Sequence, residues 1–443
     1  MRYKVSIKAA GIAALLLLAG QGAMAQVKQL SLAQAMELSL QNSKQLKLSN
    51  AKVEEAVANT REMWNNHLPD VKVTGTYMRL NNPDVSLKMK TSSSSTGGGE
   101  EQGAVKVNQV AYGIANASLP LFSGFRIKYG VESARYLEQA ARLDGESEKE
   151  EVIQNAVAAY SNLYKAHIAV SLVKENLNAQ KQRVADFSNL ERNGVMARND
   201  LLKAQLQQSN IELSLLDAEN NLAVTTANMD LMLGLDDNTR LVPDSLGYLK
   251  LEDAGTLLQW EQTALHNRKD VASLSYREKA AYSAIKATKG EYYPGIALTG
   301  GLIAADIPDL LTVTNAFNAG LGLSYNIGSL WKTGAKVDAA KARLHQVQAT
   351  EGMMGDQVRI QVSQAYHNYL LSVRKISVYE RAVEQATENY RITKNKYDNS
   401  LSTTTDLLDA DTARLQAQLN FATSKADATT AYKRLQQVAG VLK

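Results

Sequence analysis

The chain has 443 residues, 49 basic against 45 acidic side chains, a formal net charge of +4, and no cysteine. That balance gives no support to nucleic-acid binding, and the missing thiols exclude disulfides, thiolate metal sites and a lipidated cysteine. The five histidines, His67, His167, His266, His345 and His367, show no metal-ligand spacing, and no phosphate loop or nucleophile elbow occurs, so no catalytic, cofactor-binding or metal site is expected.

Residues 1–25 carry Arg2, Lys4 and Lys8, an apolar run from Ala9 to Gly20, and the small-x-small site Ala23-Met24-Ala25, which together read as a secretory signal peptide. Without those three cations the charge of +4 becomes +1. No other run is long and apolar enough for a transmembrane helix, so a membrane-spanning reading requires β-strands.

Residues 26–235 make a first repeat. Ser31-Leu32 opens a short helix ending near Asn42, and a second helix runs from about Lys44 to His67. After Pro69 the period changes: Val71, Val73 and Tyr77 alternate with Lys72, Thr74 and Thr76, which predicts the first strand of a β-hairpin over 70–122. Its return strand is expected from about Val105 to Phe122, and the serine- and glycine-rich stretch 91–103 is expected to be a loop. A helical hairpin follows over 125–234, folding back near Gly194. Its first arm has no proline from Phe125 to Arg192, and at about 1.5 Å per residue approaches ~100 Å. Ile153, Val157, Tyr160, Tyr164, Ile168 and Leu172 recur every three or four residues, as helix packing requires.

A linker over 236–255 leads to a second repeat, 256–443, with helices from Thr256-Leu257 to Asn267 and from Lys269 to Tyr292. A β-hairpin over 295–327, with strands expected at 295–304 and 317–327, and a helical hairpin over 331–440 complete it. Leu32, Asn42 and Pro69 answer to Leu257, Asn267 and Pro294 at an offset of 225; Tyr160, Gly194, Asp200 and Gly234 answer to Tyr366, Ser400, Asp406 and Gly440 at 206. The 19-residue difference falls in the serine- and glycine-rich loop at the tip of the first β-hairpin and leaves the helices in register.

In the last predicted strand Phe317, Ala319, Leu321, Leu323, Tyr325 and Ile327 share one face, and Asn318, Gly320, Gly322, Ser324 and Asn326 the other. That pattern fits a membrane β-barrel, and also a half-buried strand of a soluble sheet; four such strands in two hairpins on a secreted chain favour the membrane. Four strands cannot close a barrel, which starts at about eight, and each unpaired backbone group in lipid costs several kcal/mol. Several chains must then share one barrel, and the geometry alone allows two, three or four.

The duplicated plan resembles the TolC-like outer membrane efflux family over essentially the whole mature chain. The residues that carry the likeness are Leu32-x-x-Ala35-x-x-x-x-Ser39-Leu40-x-Asn42, the junction Leu68-Pro69-Asp70-Val71, and Pro120-Leu121-Phe122-Ser123-Gly124-Phe125. The resemblance implies a mainly α fold with a membrane β-barrel: a homotrimer whose twelve strands form one barrel through the outer membrane, continued by a long α-helical barrel in the periplasm. It implies a duct that docks on a periplasmic adaptor (membrane fusion) protein and an inner-membrane pump, without chemistry of its own.

The family's periplasmic mouth pattern, Tyr, then Gly-x-Arg, then two Asp three apart, is matched by Tyr397, Ser400-x-Ser402, Asp406 and Asp409. Threefold symmetry would stack the two carboxylates into acidic rings. The plainer readings are a helix cap for Asp406 and packing for Tyr397, and Ser402 in place of arginine argues against an Arg-Asp lock. The turns Gly194, Val195, Met196, Ala197 and Ser400, Leu401, Ser402, Thr403 are the candidate adaptor contacts, by position. A periplasmic coiled-coil scaffold or trimeric stalk is the alternative, but it has no need of two strand hairpins.

Overall fold

Matching capping boxes start the two repeats. The Ser31 hydroxyl accepts from Gln34 N at 3.2 Å while the Gln34 side chain accepts from Ser31 N at 3.1 Å; Thr256 and Gln259 repeat this at 3.4 and 3.1 Å. The structure, a computed structural model, describes residues 27–81, 83–85, 105–236, 239–244, 253–308 and 310–442. The expected signal peptide and the 91–103 stretch lie outside the described residues.

In chain order the elements are β1 (Val27–Leu30), α1 (Leu32–Asn42), α2 (Lys44–Asn65), β2 (Asp70–Arg79), β3 (Asp84–Val85), β4 (Val105–Lys106) and β5 (Gln109–Phe122). Then come α3 (Arg126–Arg192), α4 (Arg198–Leu233), β6 (Arg240–Pro243), α5 (Leu257–Asn267), α6 (Lys269–Lys289), β7 (Gly295–Ile307), β8 (Leu311–Ser324), α7 (Ser329–Asp398) and α8 (Thr404–Val438). The chain is thus mainly helical, with α3 and α7 reaching 67 and 70 residues. None of the described helices is long and apolar enough to cross a membrane.

Two compact units cut across the repeats. One takes the chain up to Ala51, Leu143–Ala272 and everything from Met353; the other takes Lys52–Arg142 and Ser273–Gly352. In the first unit, Leu30, Ala35, Tyr160, Leu163, Met229, Leu233 and Leu241 form one core, and Val358, Val362, Tyr369, Leu435 and Val438 its counterpart. β1 and β6 pair in parallel, Val27 opposite Arg240 and Leu30 opposite Pro243, a pairing the sequence reading missed. The buried Tyr160 hydroxyl lies 2.8 Å from the carbonyl oxygens of both Leu30 and Asp244, and its repeat mate Tyr366 donates to Gly255 at 3.1 Å. Burial pushes the Tyr160 phenol up to about 12, so it remains a donor.

In the second unit β2, β5, β7 and β8 form one antiparallel sheet in that order. Its strands differ from expectation in three ways. The return strand of the first hairpin splits: Val105–Lys106 pairs with β3, Val107 is buried, and the Asn108 carbonyl accepts from Leu80 N at 2.9 Å before β5 begins. β7 continues past Ala304 to Ile307, because a bulge at Asn315, whose φ is +58°, lets pairing resume with 311–313. β8 ends at Ser324, not Ile327: Ser324 pairs with Gly295, and the next partner would be Pro294, which has no N–H. The chain then turns through Asn326 and Gly328, and α7 opens at Ser329, two residues before the expected start.

The junction from β5 to α3 depends on contact between two glycines. Gly124 sits at φ +63° against Gly290, and a Cβ on either would collide with the other's carbonyl oxygen. Phe125 also adopts a left-handed φ of +65°, with its ring edge-on to Phe122 at 5.2 Å.

Two predictions concern stability. Gly194 and Gly440 share the left-handed conformation, at φ +69° and +68°, but nothing lies within 4 Å of a Cβ on Gly194, whereas one on Gly440 would sit 2.9 Å from Arg268 N. Gly194→Ala should cost about 1 kcal/mol, the conformational term alone, and Gly440→Ala distinctly more, read as shifts of the unfolding midpoint. Between α3 and α6 of the first unit, burial raises the Glu150 carboxyl from 4.5 to about 7, helped by Asp270 and Glu146 and opposed by Lys269 and Arg268. The folded chain keeps that proton between pH 4.5 and 7 while the unfolded chain loses it, so this contribution to stability falls as pH rises across that window. Glu150→Gln should therefore be the more stable protein above pH 7, with the advantage vanishing toward pH 4.5.

Candidate functional site

Residues opposite one another in register share a face of the sheet. One face carries the rows Val71, Ala117, Gly300, Ala319 and Val73, Ala115, Leu302, Phe317. The other carries Asp70, Ser118, Thr299, Gly320 and Lys72, Asn116, Gly301, Asn318. The first face is mainly apolar and open, with Val73 77% and Phe317 78% exposed, and turns polar at one end, where Arg79, Gln109, Asp306 and Thr312 lie. On the second, Gly301 lies beneath two amides: a Cβ there would be 2.8 Å from Asn116 Oδ1 and 3.0 Å from Asn318 Oδ1. β2 and β8 each lack a partner on their outer side among the described residues. Near the base of the strands Phe125, Tyr293, Tyr325, Ile327 and Trp331 are exposed, amphipathic and apolar groups of the kind that line membrane interfaces.

Both helical hairpins turn through a left-handed residue. At the first, Gly194 N donates to Glu191 O and Val195 N to Leu190 O, both at 2.9 Å. At the second, Ser400 takes the glycine position at φ +60°, with Ser400 N donating to Tyr397 O at 2.9 Å and Leu401 N to Lys396 O at 2.7 Å. Beneath the turns Phe187, Leu201, Ala204 and Leu407 form a small core, joined by Val184, Met196, Tyr390 and Tyr397. Tyr397 stacks on Phe187 with ring centres 5.7 Å apart, and burial raises its phenol. Its described contacts are therefore packing on Phe187 and a side-chain hydrogen bond with Thr404. Met196 is half-buried against this core. Gly194, Val195, Ala197, Ser400, Leu401 and Thr403 remain exposed, Val195 at 73% and Leu401 at 76%.

Asp406 closes the capping box of α8. Its Oδ2 accepts from Thr403 N at 2.9 Å, the Thr403 hydroxyl at 2.7 Å and the Ser402 hydroxyl at 3.0 Å, and Asp406 N donates to Thr403 Oγ1 at 3.1 Å. These donors, Thr403 N first, hold the carboxyl below its usual range. Ser402 thus serves the cap. Asp409 is exposed one turn later. At the equivalent turn of the first repeat, Asp200 and Lys203 approach to 3.4 Å, so the second repeat has replaced an ion pair with two carboxylates.

Sequence reasoning missed a buried ionic cluster below the turns. Arg183 Nη1 donates to Asp411 Oδ2 at 2.9 Å and Gln180 Oε1 at 2.6 Å, and Arg183 Nη2 to the Tyr390 hydroxyl at 2.9 Å. Arg414 donates to Asp411 Oδ1 at 2.7 Å and lies 4.0 Å over the Tyr390 ring. Gln180 completes the set by donating to Ala204 O at 2.9 Å, so the cluster joins α3, α4, α7 and α8. The one signal in the sequence is a broken repeat: Gln205 and Gln208 stand where the second repeat has Asp411 and Arg414. The side chains of Arg183 and Asp411 are only 11% and 5% exposed. Asp411→Ala should therefore cost about 3–5 kcal/mol by leaving two guanidinium groups unneutralised, while Asp409→Ala leaves the unfolding midpoint nearly unchanged.

Residues 35–235 and 260–441 match the family model described as outer membrane efflux protein. Toxin and drug export protein A of Aggregatibacter actinomycetemcomitans is 25% identical over 332 residues, covering 71% of this chain and 69% of that protein. The alkaline protease secretion protein AprF of Pseudomonas aeruginosa is 21% identical over 327 residues, covering 72% of this chain and 66% of that protein. Among solved structures, the Campylobacter jejuni CmeC outer membrane channel superposes with a TM-score of 0.78 at 16% identity, covering 92% of this chain and 85% of CmeC. The outer-membrane channel OprN gives a TM-score of 0.75 at 19% identity, covering 92% and 89%. The chain belongs to the outer membrane efflux protein family. As a member of that family it is an outer-membrane efflux protein.

Proposed function

We propose that three copies of this chain close one twelve-stranded barrel and act as the passive exit duct of a tripartite efflux or type I secretion system. The observation that carries this reading is the open sheet, with one mainly apolar face and two edges, β2 and β8, that are unpaired among the described residues. Those edges run antiparallel and differ, so one copy's β8 can pair with the next copy's β2, a head-to-tail contact that closes into a ring. Two copies would give eight strands, whose interior is filled by side chains, so three is the smallest number that leaves a lumen. Exposed apolar stripes on the helices of the first unit support the same arrangement: Leu206, Leu213 and Leu231 on α4, Ile360 and Val378 on α7.

In this reading the polar face of the sheet lines the duct, and Asp406 and Asp409, with Ser402 and Tyr397 beside them, form the periplasmic constriction. The cap donors on Asp406 favour its charged form. The exposed turn residues Gly194, Val195, Ala197, Ser400, Leu401 and Thr403 receive a periplasmic adaptor, through which an inner-membrane pump delivers solutes and energy. The duct itself catalyses nothing.

Planar-bilayer recording tests this. The purified protein should show a small cation-selective conductance blocked by divalent or trivalent cations, and Asp406→Asn/Asp409→Asn should weaken the block by at least tenfold. Folded, oligomeric protein that conducts nothing would overturn the duct and leave a periplasmic scaffold or stalk.

A further inference from the structure

A cavity of about 420 Å³ opens on the polar face at the base of the sheet, within the second unit. Both long helices begin at its rim: Arg126 is the first residue of α3 and Ser329 the first of α7, so two helix N-termini add positive potential. Two cations line it. Lys336 is held 2.6 Å from Glu291, which leaves that carboxylate neutralised. Arg126 has no ion pair among the described residues, and its stem lies against Gly290, where a side chain would collide with it. The cavity also holds an unused donor. Ser329 lines it at 7% exposure, and its hydroxyl has no hydrogen-bond partner among the described residues. Ser123, its mate across the 206-residue offset, lines the same cavity, so both repeats bring a hydroxyl to one place, with Ser324 beside them.

We infer that this cavity binds a phosphate-type oxyanion, held by the Arg126 guanidinium, the Lys336 ammonium and the serine hydroxyls. Arginine suits the fork geometry of two phosphate oxygens, and a desolvated hydroxyl without a partner gains a hydrogen bond only when an acceptor arrives. Glu291 orients Lys336 and, being paired, does not repel the anion. The chemistry is that of a free phosphate or phosphorylated solute, or of a phospholipid headgroup. Its position on a conduction path rests on the duct reading; the binding itself does not.

The test is calorimetric titration of inorganic phosphate into the detergent-solubilised full mature protein at constant ionic strength. Saturable binding that weakens at least tenfold in Arg126→Gln and in Lys336→Gln, but not in Lys341→Gln, is expected. No saturable binding by folded wild-type protein, or an equal loss in Lys341→Gln, would overturn the site. Repeating the titration in nanodiscs distinguishes the sources. Phosphate affinity lowered by phosphatidylglycerol but not by phosphatidylcholine assigns the site to headgroups, and equal affinity in both assigns it to a solute. Sedimentation of the same samples keeps the two readings apart: a trimer that binds no phosphate loses only the site, and a non-trimer that binds it loses only the trimer.

Discussion

Everything in this architecture depends on the backbone groups at the outer edges of β2 and β8. In water an open edge is satisfied by solvent; in hydrocarbon each unpaired N–H or C=O costs several kcal/mol, and no single four-stranded sheet can remove its own edges. A sheet with one mainly apolar face therefore carries two edges that lipid alone does not satisfy. The long helices answer the same constraint away from the membrane. They satisfy their backbone internally, so they can extend for 67 and 70 residues with only side-chain packing left to supply.

The internal duplication shows which positions the scaffold needs and which are open to change. The capping boxes at Ser31 and Thr256, the tyrosines Tyr160 and Tyr366, and the glycines Gly234 and Gly440 recur because each satisfies a helix end or a linker carbonyl. The copies diverge around the second hairpin's turn. Ala197 becomes the capping Thr403, Lys203 becomes Asp409, and Gln205 and Gln208 become Asp411 and Arg414. The second hairpin's turn is the more acidic, with Asp411 buried and paired and Asp409 facing out.

The periodic parts of this fold were legible in the sequence. The change of period after Pro69 and Pro294, the proline-free runs and the constant offset of 206 located the sheet and both helical hairpins. Alternation reports which side of a strand faces away, however, and not which residues are hydrogen-bonded, so it ran on through Tyr325 and Ile327 after pairing had stopped at Ser324. The bulge at Asn315 and the break at Val107 depend on partner strands and left no local mark. The same holds for the Arg183–Asp411 pair, whose members are 228 residues apart. At the turn, the residue pattern identified Asp406 and Tyr397, but only geometry showed that one closes a cap and the other packs on Phe187.

The pairing of β1 with β6 bears on how the chain comes together in time. Leu30 meets Pro243 and, through Tyr160, Asp244, so the earliest described strand has no partner until the 213 residues from 31 to 243 (243 − 30) have followed it. During export in N-to-C order, residues 27–30 must wait unpaired while the whole first hairpin emerges. Closure of this small clasp then follows emergence of the linker between the repeats, a long-range contact of the kind that slows folding.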